Sequence, residues 1–144
     1  MAHTKNSITI DAPYDRVFDV TNDIERWDML FEEYKEAKVL SREGNKITFQ
    51  LTTNEGNSWR SSRMLDKDNK VCTAQREDPM FPFQYMNLKW TYREMDESVQ
   101  MTWEQDFTMD PKAKFNDAQV EELINKHSVD NMKRIKELIE SGKV

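Results

Sequence analysis

The sequence predicts an α+β fold in which a curved antiparallel sheet packs around one long C-terminal helix. Between positions 34 and 109, apolar and polar residues alternate in successive short segments, and turn-forming residues separate these segments. After Asp110-Pro111 the pattern changes to a single helical period that continues almost to the last residue. Because a sheet buries one face against a core, the long helix is the natural partner for that face.

The N-terminal residues predict a strand followed by a short helix. Residues 6–11 alternate polar and apolar side chains, as a half-buried strand does. Asp11 or Ala12 is expected at the helix cap, with Pro13 in the first turn and the helix continuing across residues 17–20. A second short helix is expected next; the residues concerned are Asn22 or Asp23 as its cap and Trp27, Leu30 and Phe31 along it.

Six strands and a long helix are predicted from the rest of the chain. The strands are Ala37–Arg42, a strand through Ile47, Phe49 and Leu51, Trp59–Leu65, Val71–Arg76, Phe83–Glu94 and Val99–Met109. The helix is predicted over residues 116–141 and ends at Gly142. No repeat or change of composition marks a boundary, so residues 1–144 are expected to form one domain.

Composition excludes several classes of function. Charged residues make up 33% of the chain and the net charge is −6, which argues against a general nucleic-acid-binding protein. No apolar run approaches the roughly 20 residues that span a membrane, and we expect no signal peptide. Cys72 is the only cysteine, which fits a cytoplasmic protein without disulfides.

Familiar catalytic motifs are also missing. Two histidines and one cysteine give no zinc-site spacing, and three glycines give no phosphate-binding loop. His127, Ser128 and Asp130 are close in sequence, but on a helix they point in different directions and form no nucleophilic triad. Metalloenzyme, nucleotide-binding and hydrolase functions are therefore disfavoured.

Polar residues on the inner face of the long helix indicate either a cavity or a polar core. At about 100° per residue, one face carries Val120, Ile124, His127, Asn131, Ile135 and Leu138. Burying His127 and Asn131 without partners would cost about 1–3 kcal/mol each, whereas water or an oxygenated ligand in a cavity would supply partners. A histidine and an asparagine that bond within the core, or a face rotated toward solvent, would explain the pattern equally well.

Two arginines are candidates for the same interior. Arg63 shares a strand face with Trp59 and Leu65, and Arg76 shares a face of the next strand with Cys72. Arginine stays charged at ordinary pH, so an inward arginine needs a carboxylate, carbonyls, water or an anionic ligand beside it. For either arginine taken alone, an ion pair or an outward orientation is the more common arrangement.

Several segments resemble tetracenomycin-type polyketide aromatase/cyclases of the START/Bet v1-like superfamily. They are Asn6-Ser7-Ile8 with Ala12-Pro13, Asp19 to Glu25 with Trp27, Leu30-Phe31 with Glu33-Tyr34, Tyr85 to Leu88 with Trp90 to Arg93, and Asn131-Met132 with Arg134 to Lys136. The resemblance extends from about residue 6 to residue 140. Its middle segments are specific to the family, whereas Ala12-Pro13 is common to the wider superfamily.

The resemblance implies a helix-grip fold with an internal cavity, in an enzyme of a type II polyketide pathway that needs no metal or organic cofactor. Its substrate would be a poly-β-ketone on an acyl carrier protein, and its other partners the remaining synthase subunits. It would direct first-ring aldol closure and assist dehydration to the aromatic ring. The residues implied in the pocket are Trp27, Phe31, Tyr34, Trp59, Ser61, Arg63, Arg76, Met86, Trp90, Trp103 and Asn131, and the helix pattern adds His127.

Within that implied chemistry, Arg63 and Tyr34 are the catalytic candidates. Aldol closure develops negative charge on an enolate and then on an alkoxide oxygen, which a fixed guanidinium at Arg63 would stabilise in a poorly hydrated cavity. Because arginine gives up its proton reluctantly, proton transfer is expected from Tyr34 or from water. Aromatic walls would hold the chain in a near-attack geometry and so direct the position of ring closure.

Two other functions share parts of this pattern. A non-catalytic member of the superfamily that binds or transfers a lipid or quinone would have the same fold and cavity. It would have no need for the combination of Trp27, Tyr34, Arg63 and Met86–Trp90. A protein-interaction member would have a filled core and an exposed apolar patch. A plugged interior, or Arg63 directed into solvent, would therefore contradict the cyclase hypothesis.

Overall fold

A single seven-stranded antiparallel sheet forms most of the structure, a computed structural model that describes residues 1–144. The strands are β1 (Ala2–Ile10), β2 (Tyr34–Glu43), β3 (Lys46–Thr53), β4 (Ser58–Asp66), β5 (Val71–Arg76), β6 (Phe83–Glu94) and β7 (Val99–Met109). Their order across the sheet is β1-β7-β6-β5-β4-β3-β2. Strands β2 to β7 therefore form a meander, as the alternating pattern predicts, and β1 adds to its last strand.

Three helices accompany the sheet: α1 (Tyr14–Thr21), α2 (Trp27–Leu30) and α3 (Asp117–Glu140), with a 3-10 turn at Ile24–Arg26. The order of elements confirms the α+β prediction. Pairs with β7 run the full length of β1, from Ala2 opposite Phe107 to Ile10 opposite Val99. The first strand therefore begins four residues before the predicted residue 6.

The two N-terminal helices begin differently from the prediction. Pro13, rather than Asp11 or Ala12, is the residue before α1, and no side chain caps that helix. Asp23 precedes the 3-10 turn, but its side chain makes no capping hydrogen bond. Asn22 does not cap the following helix with its side chain, because that side chain is buried and bonds elsewhere.

Helix α3 has well-formed ends. The Asn116 side chain accepts a hydrogen bond from the Gln119 amide, and the Gln119 side chain accepts one from the Asn116 amide. Gly142, at φ 76°, follows the C-terminal end as predicted, because glycine adopts this left-handed conformation without steric cost. No helix in the structure combines the length and apolar character needed to cross a membrane.

The face of α3 that meets the sheet is rotated relative to the predicted face. Its buried residues are Val120, Ser128, Asn131, Met132, Ile135 and Ile139. Ile124 and Leu138 are only half-buried, and His127 is exposed. The prediction that His127 lies in the middle of the buried face is therefore wrong, since the helix turns Ser128 inward instead.

Bulges and two clusters of apolar side chains shape the interior. Pairing shifts in β2, between Tyr34 and Glu36, and in β6, between Phe83 and Tyr85, interrupt the ladders and bend these strands. The larger apolar cluster joins α1 and α2 to the sheet, and the smaller one surrounds Phe107 near the start of α3. Side chains of both clusters border the cavity described next.

Candidate active site

A cavity of about 350 Å³ lies between the inner face of the sheet and α3. Of its 22 lining residues 14 are hydrophobic, a composition typical of sites that bind small organic ligands. All twelve candidate residues line it: Trp27, Phe31, Tyr34, Trp59, Ser61, Arg63, Arg76, Met86, Trp90, Trp103, His127 and Asn131. The predicted hollow interior is confirmed.

Stacked aromatic rings form one wall of the cavity. Trp90 of β6 lies opposite Trp103 of β7 in the sheet, and their ring centroids are 4.3 Å apart with planes inclined by 14°. Trp27 extends the wall, 5.9 Å from Trp90, and Phe31 lies 5.7 Å from Trp103. Because the rings pack on one another and are buried, they form a rigid apolar wall of the cavity.

Arg63 is a charged group that packs against this wall. Its side chain is only 1% exposed, so the predicted inward orientation is confirmed. Its Nε donates a hydrogen bond of 2.8 Å to Asn22 Oδ1, and its Nη2 is buried without a partner. The guanidinium carbon lies 4.0 Å from the Trp90 ring centroid and 5.4 Å from that of Trp27. The charge is thus held by an amide and two aromatic faces, none of which neutralises it.

Small residues on β5 allow Arg63 to reach this position. Arg63 lies opposite Ala74, and Trp90 lies opposite Cys72 on the other side of the same strand. Since Ala74 and Cys72 are short, the long arginine side chain can cross above β5 to the indole of β6. The alternation of side chains along β4 and β5 therefore sets both the orientation and the reach of Arg63.

A buried polar network holds Asn22 in place, and sequence analysis missed it. Asn22 Nδ2 donates to the Phe18 carbonyl at 2.9 Å and to the Tyr92 hydroxyl at 3.2 Å. The Tyr92 hydroxyl also bonds the Thr21 hydroxyl at 2.8 Å. The sequence signal was present, because Asn22 lies inside the segment that resembles the cyclase family, but its partner on β4 could not be identified.

Arg76 points inward as predicted, yet its donors are used by a loop of the protein. Its Nε donates to the Pro79 carbonyl at 2.8 Å, and its Nη2 donates to the Phe81 carbonyl at 3.1 Å. The guanidinium also lies against the rings of Trp59 and Phe83, at 4.5 and 5.2 Å. Burial lowers the pKa of Arg76 to about 10, so it remains charged at neutral pH. Arg76 therefore holds the loop of residues 77–82 in place beside the cavity.

Tyr34 brings a phenol to the same cavity from the start of β2. Its ring contacts Trp27, Phe31 and Trp59, with centroid distances of 6.4, 5.4 and 6.0 Å. Burial raises the pKa of Tyr34 well above its ordinary value, the Glu33 carboxylate raises it further, and the Arg76 guanidinium opposes both. At neutral pH the phenol therefore carries its proton and can donate it.

Of the two polar residues that the sequence places on the inner face of α3, one bonds within the core and the other borders the cavity. Asn131 is buried, donates to Glu33 Oε1 at 2.8 Å, and accepts from the Glu32 amide at 3.4 Å. It is a core asparagine whose partners are in the protein. His127 borders the cavity from an exposed position, and the buried Ser128, which sequence analysis did not select, lines it as well.

The other lining residues include two of the candidates and several that the sequence indicated only as parts of strands. Ser61 and Met86 are buried candidates that line the cavity as expected. Gln105 also lines it and accepts a hydrogen bond of 3.4 Å from the Thr4 hydroxyl. In the sequence, Gln105 could have been recognised as a polar residue at an inward-facing position of β7. Three lining residues belong to the apolar inner faces of β3 and β6: Phe49, Leu51 and Leu88.

Comparison with known families agrees with this geometry. The family described as polyketide cyclase / dehydrase and lipid transport matches residues 1–140. The chain belongs to this family. A member from Streptomyces cyaneus, assigned as a polyketide cyclase, is 45% identical over 143 residues, which cover 96% of this chain and 93% of the relative.

Two further similarities span most of this chain. The granaticin polyketide synthase bifunctional cyclase/dehydratase of Streptomyces violaceoruber is 26% identical over 146 residues, 96% of this chain but 44% of that protein. The crystal structure of the ZhuI aromatase/cyclase from Streptomyces sp. R1128 superimposes with a TM-score of 0.82 at 20% identity, and covers 96% of this chain and 93% of that one. The START-like helix-grip fold implied by the sequence is confirmed.

Proposed function

We propose that this family member is an aromatase/cyclase of a type II polyketide pathway. It binds a poly-β-ketone carried by an acyl carrier protein, directs the first aldol ring closure, and promotes loss of water to the aromatic ring. The observation that carries the proposal is the uncompensated guanidinium of Arg63 at the aromatic wall of the cavity. A buried cation without a carboxylate partner is a site for an oxygen that becomes negatively charged.

Arg63 stabilises the charge that forms during ring closure. A water molecule in the cavity accepts a proton from a methylene between two ketones, and the electron pair moves to a ketone oxygen to give an enolate beside the guanidinium. The enolate carbon then attacks a second ketone of the chain, and that ketone oxygen becomes an alkoxide. Such charge stabilisation in a site that excludes water contributes about 10²–10³-fold to rates in other enzymes.

Tyr34 is the proton donor in this scheme. Its raised pKa keeps the phenol protonated, so it donates to the alkoxide and gives the aldol alcohol. The tyrosinate then recovers a proton from the water that accepted the methylene proton at the start. Loss of water from the alcohol then forms the carbon–carbon double bond, and enolisation of the remaining ketones completes the ring.

The remaining candidates position the chain. Trp27, Phe31, Trp90 and Trp103 provide a rigid apolar wall along which the ketone chain folds. The other proposed substrate contacts are Trp59, Ser61, Met86, Arg76, His127 and Asn131. Arg76 acts mainly through the loop that it fastens, and Asn131 through its bond to Glu33.

A reconstituted pathway tests the proposal. A ketosynthase pair and a carrier protein are supplied with malonyl extender units, with and without this protein, and the products are separated by liquid chromatography and mass spectrometry. We expect the protein to replace shunt products by a chain that has lost water and carries an aromatic first ring. The same product mixture in both reactions would contradict the cyclase assignment and favour the family's alternative, lipid binding or transfer without chemistry.

A further inference from the structure

We infer that Asn22 is a positioning residue for Arg63, and that its neutral amide keeps the guanidinium charge available to a ligand. The inference deepens the proposed function and rests on its assignment of Arg63 as the group that stabilises negative charge. Asn22 is not among the residues that line the cavity where the substrate chain would bind. It acts through the arginine rather than on the reacting atoms.

The hydrogen bonds fix the orientation of the Asn22 amide. Its Nδ2 donates to the Phe18 carbonyl and the Tyr92 hydroxyl, which leaves Oδ1 directed at Arg63 Nε, 2.8 Å away. Asn22 is 6% exposed and Arg63 is 1% exposed, so water does not compete for this bond. The amide therefore holds the plane of the guanidinium in one orientation at the cavity wall.

The choice of an amide rather than a carboxylate determines the charge of the site. Buried arginines usually pair with carboxylates, because an unpaired buried charge is costly. An aspartate at position 22 would preserve the size of the side chain and could still accept from Nε. It would lose the donor to the Phe18 carbonyl and add a negative charge 2.8 Å from the guanidinium. Asn22 supplies the same acceptor and leaves the positive charge unopposed.

A pair of fluorescent dyes tests the charge without any polyketide. The anionic dye 1-anilinonaphthalene-8-sulfonate and the neutral N-phenyl-1-naphthylamine share one ring system and differ by the sulfonate. In the Asn22→Asp variant we expect the anionic dye to bind at least about tenfold more weakly, and the neutral dye to bind within about twofold of wild type. Arg63→Met serves as the reference and should show the same selective loss.

Nuclear magnetic resonance tests the positioning separately. In wild type the Arg63 Nε–H signal, identified by its absence in Arg63→Met, should exchange slowly with water. In Asn22→Ala we expect the same proton to exchange at least about tenfold faster. Binding of the neutral dye shows in each variant whether the cavity has formed.

Two results would overturn the inference. One is anionic-dye binding in Asn22→Asp as tight as in wild type, or no preference for the anionic dye in wild type. The other is an Arg63 Nε–H proton that remains equally protected in Asn22→Ala. Neither readout involves cyclisation, so a failed cyclase assay with positive dye and exchange results would reject the proposed function and leave the Asn22–Arg63 linkage intact.

Discussion

The guanidinium carbon of Arg63 lies 4.0 Å from the ring centroid of Trp90, and Trp90 in turn stacks on Trp103. This contact sits on the inner face of the sheet, where Arg63 is almost fully excluded from solvent. An aromatic face attracts a cation through its quadrupole but cannot neutralise it. The arrangement therefore stabilises a buried positive charge and leaves its field directed at whatever occupies the cavity.

A double-mutant cycle should detect this contact in the stability of the protein. Trp90→Phe weakens the cation–π interaction, and Arg63→Met removes the cation while retaining a long side chain. We expect a favourable coupling of about 0.5–2 kcal/mol between the two positions in urea unfolding. Additive effects of the two substitutions on the free energy of unfolding would show that the contact contributes nothing.

The hydroxyl of Tyr34 should matter for rate and not for folding. Tyr34→Phe keeps the ring contacts with Trp27, Phe31 and Trp59, so we expect a wild-type unfolding curve and a cyclisation rate lower by about 10²-fold. Because the pKa of Tyr34 is raised, wild-type activity should show no loss from phenol ionisation between pH 7 and pH 10. A basic limb below pH 10 that disappears in Tyr34→Phe would be inconsistent with this role.

Arg76 should control the loop across residues 77–82. Arg76→Met removes the donors to the Pro79 and Phe81 carbonyls, so the loop should open more often. We expect at least about tenfold faster exchange of the Phe83 amide, which bonds the Met80 carbonyl, and a changed product ratio. Arg76→Lys, which retains the charge without the two-armed geometry, should show an intermediate effect. Unchanged exchange in Arg76→Met would rule out the fastening role.

Tyr14 should cause the free energy of unfolding to decrease at alkaline pH. Its hydroxyl donates to the Lys67 carbonyl at 2.5 Å, and burial, the largest cause, raises its pKa to about 12. A tyrosine whose pKa is higher in the folded state than in the unfolded state contributes its full stabilisation below the unfolded pKa of about 10. That contribution is lost as the pH rises from about 10 to 12.

Urea unfolding of Tyr14→Phe provides the measurement. We expect the variant to lose about 1 kcal/mol at pH 7 with its hydrogen bond, and to lose less additional stability than wild type between pH 10 and 12. Some alkaline loss should persist, because burial also raises the pKa of Tyr34 and Tyr92. A wild-type curve and a Tyr14→Phe curve that fall in parallel would disprove the assignment to Tyr14.

The strands and the inward face of the sheet were predictable because each strand alternates with a period of two. The alternation placed Arg63 on a strand face with Trp59 and Leu65, and Arg76 with Cys72. The expectation that both arginines point inward came from the family resemblance, and both line the cavity. Which group each arginine contacts was not predictable. Those partners depend on the crossing of Arg63 over β5 and on a loop conformation that no local pattern specifies.

Helix α3 shows the limit of pattern analysis most clearly. His127 and Ser128 are separated by about 100° around the helix axis, so rotating the buried face by roughly half that angle exchanges one for the other. The structure buries Ser128 and leaves His127 exposed at the cavity border. Asn22 was missed for a related reason, because its partner Arg63 lies 41 positions away in the sequence.

Replacement of Arg63 in the reconstituted synthase tests the central claim most directly. Arg63→Met should lower formation of the aromatic first ring by at least about 10²-fold, while cooperative unfolding in urea shows that the variant is folded. Arg93→Met, the same change at an exposed position of β6, should match wild type in both measurements. First-ring product formed by a folded Arg63→Met protein at the wild-type rate would contradict the account.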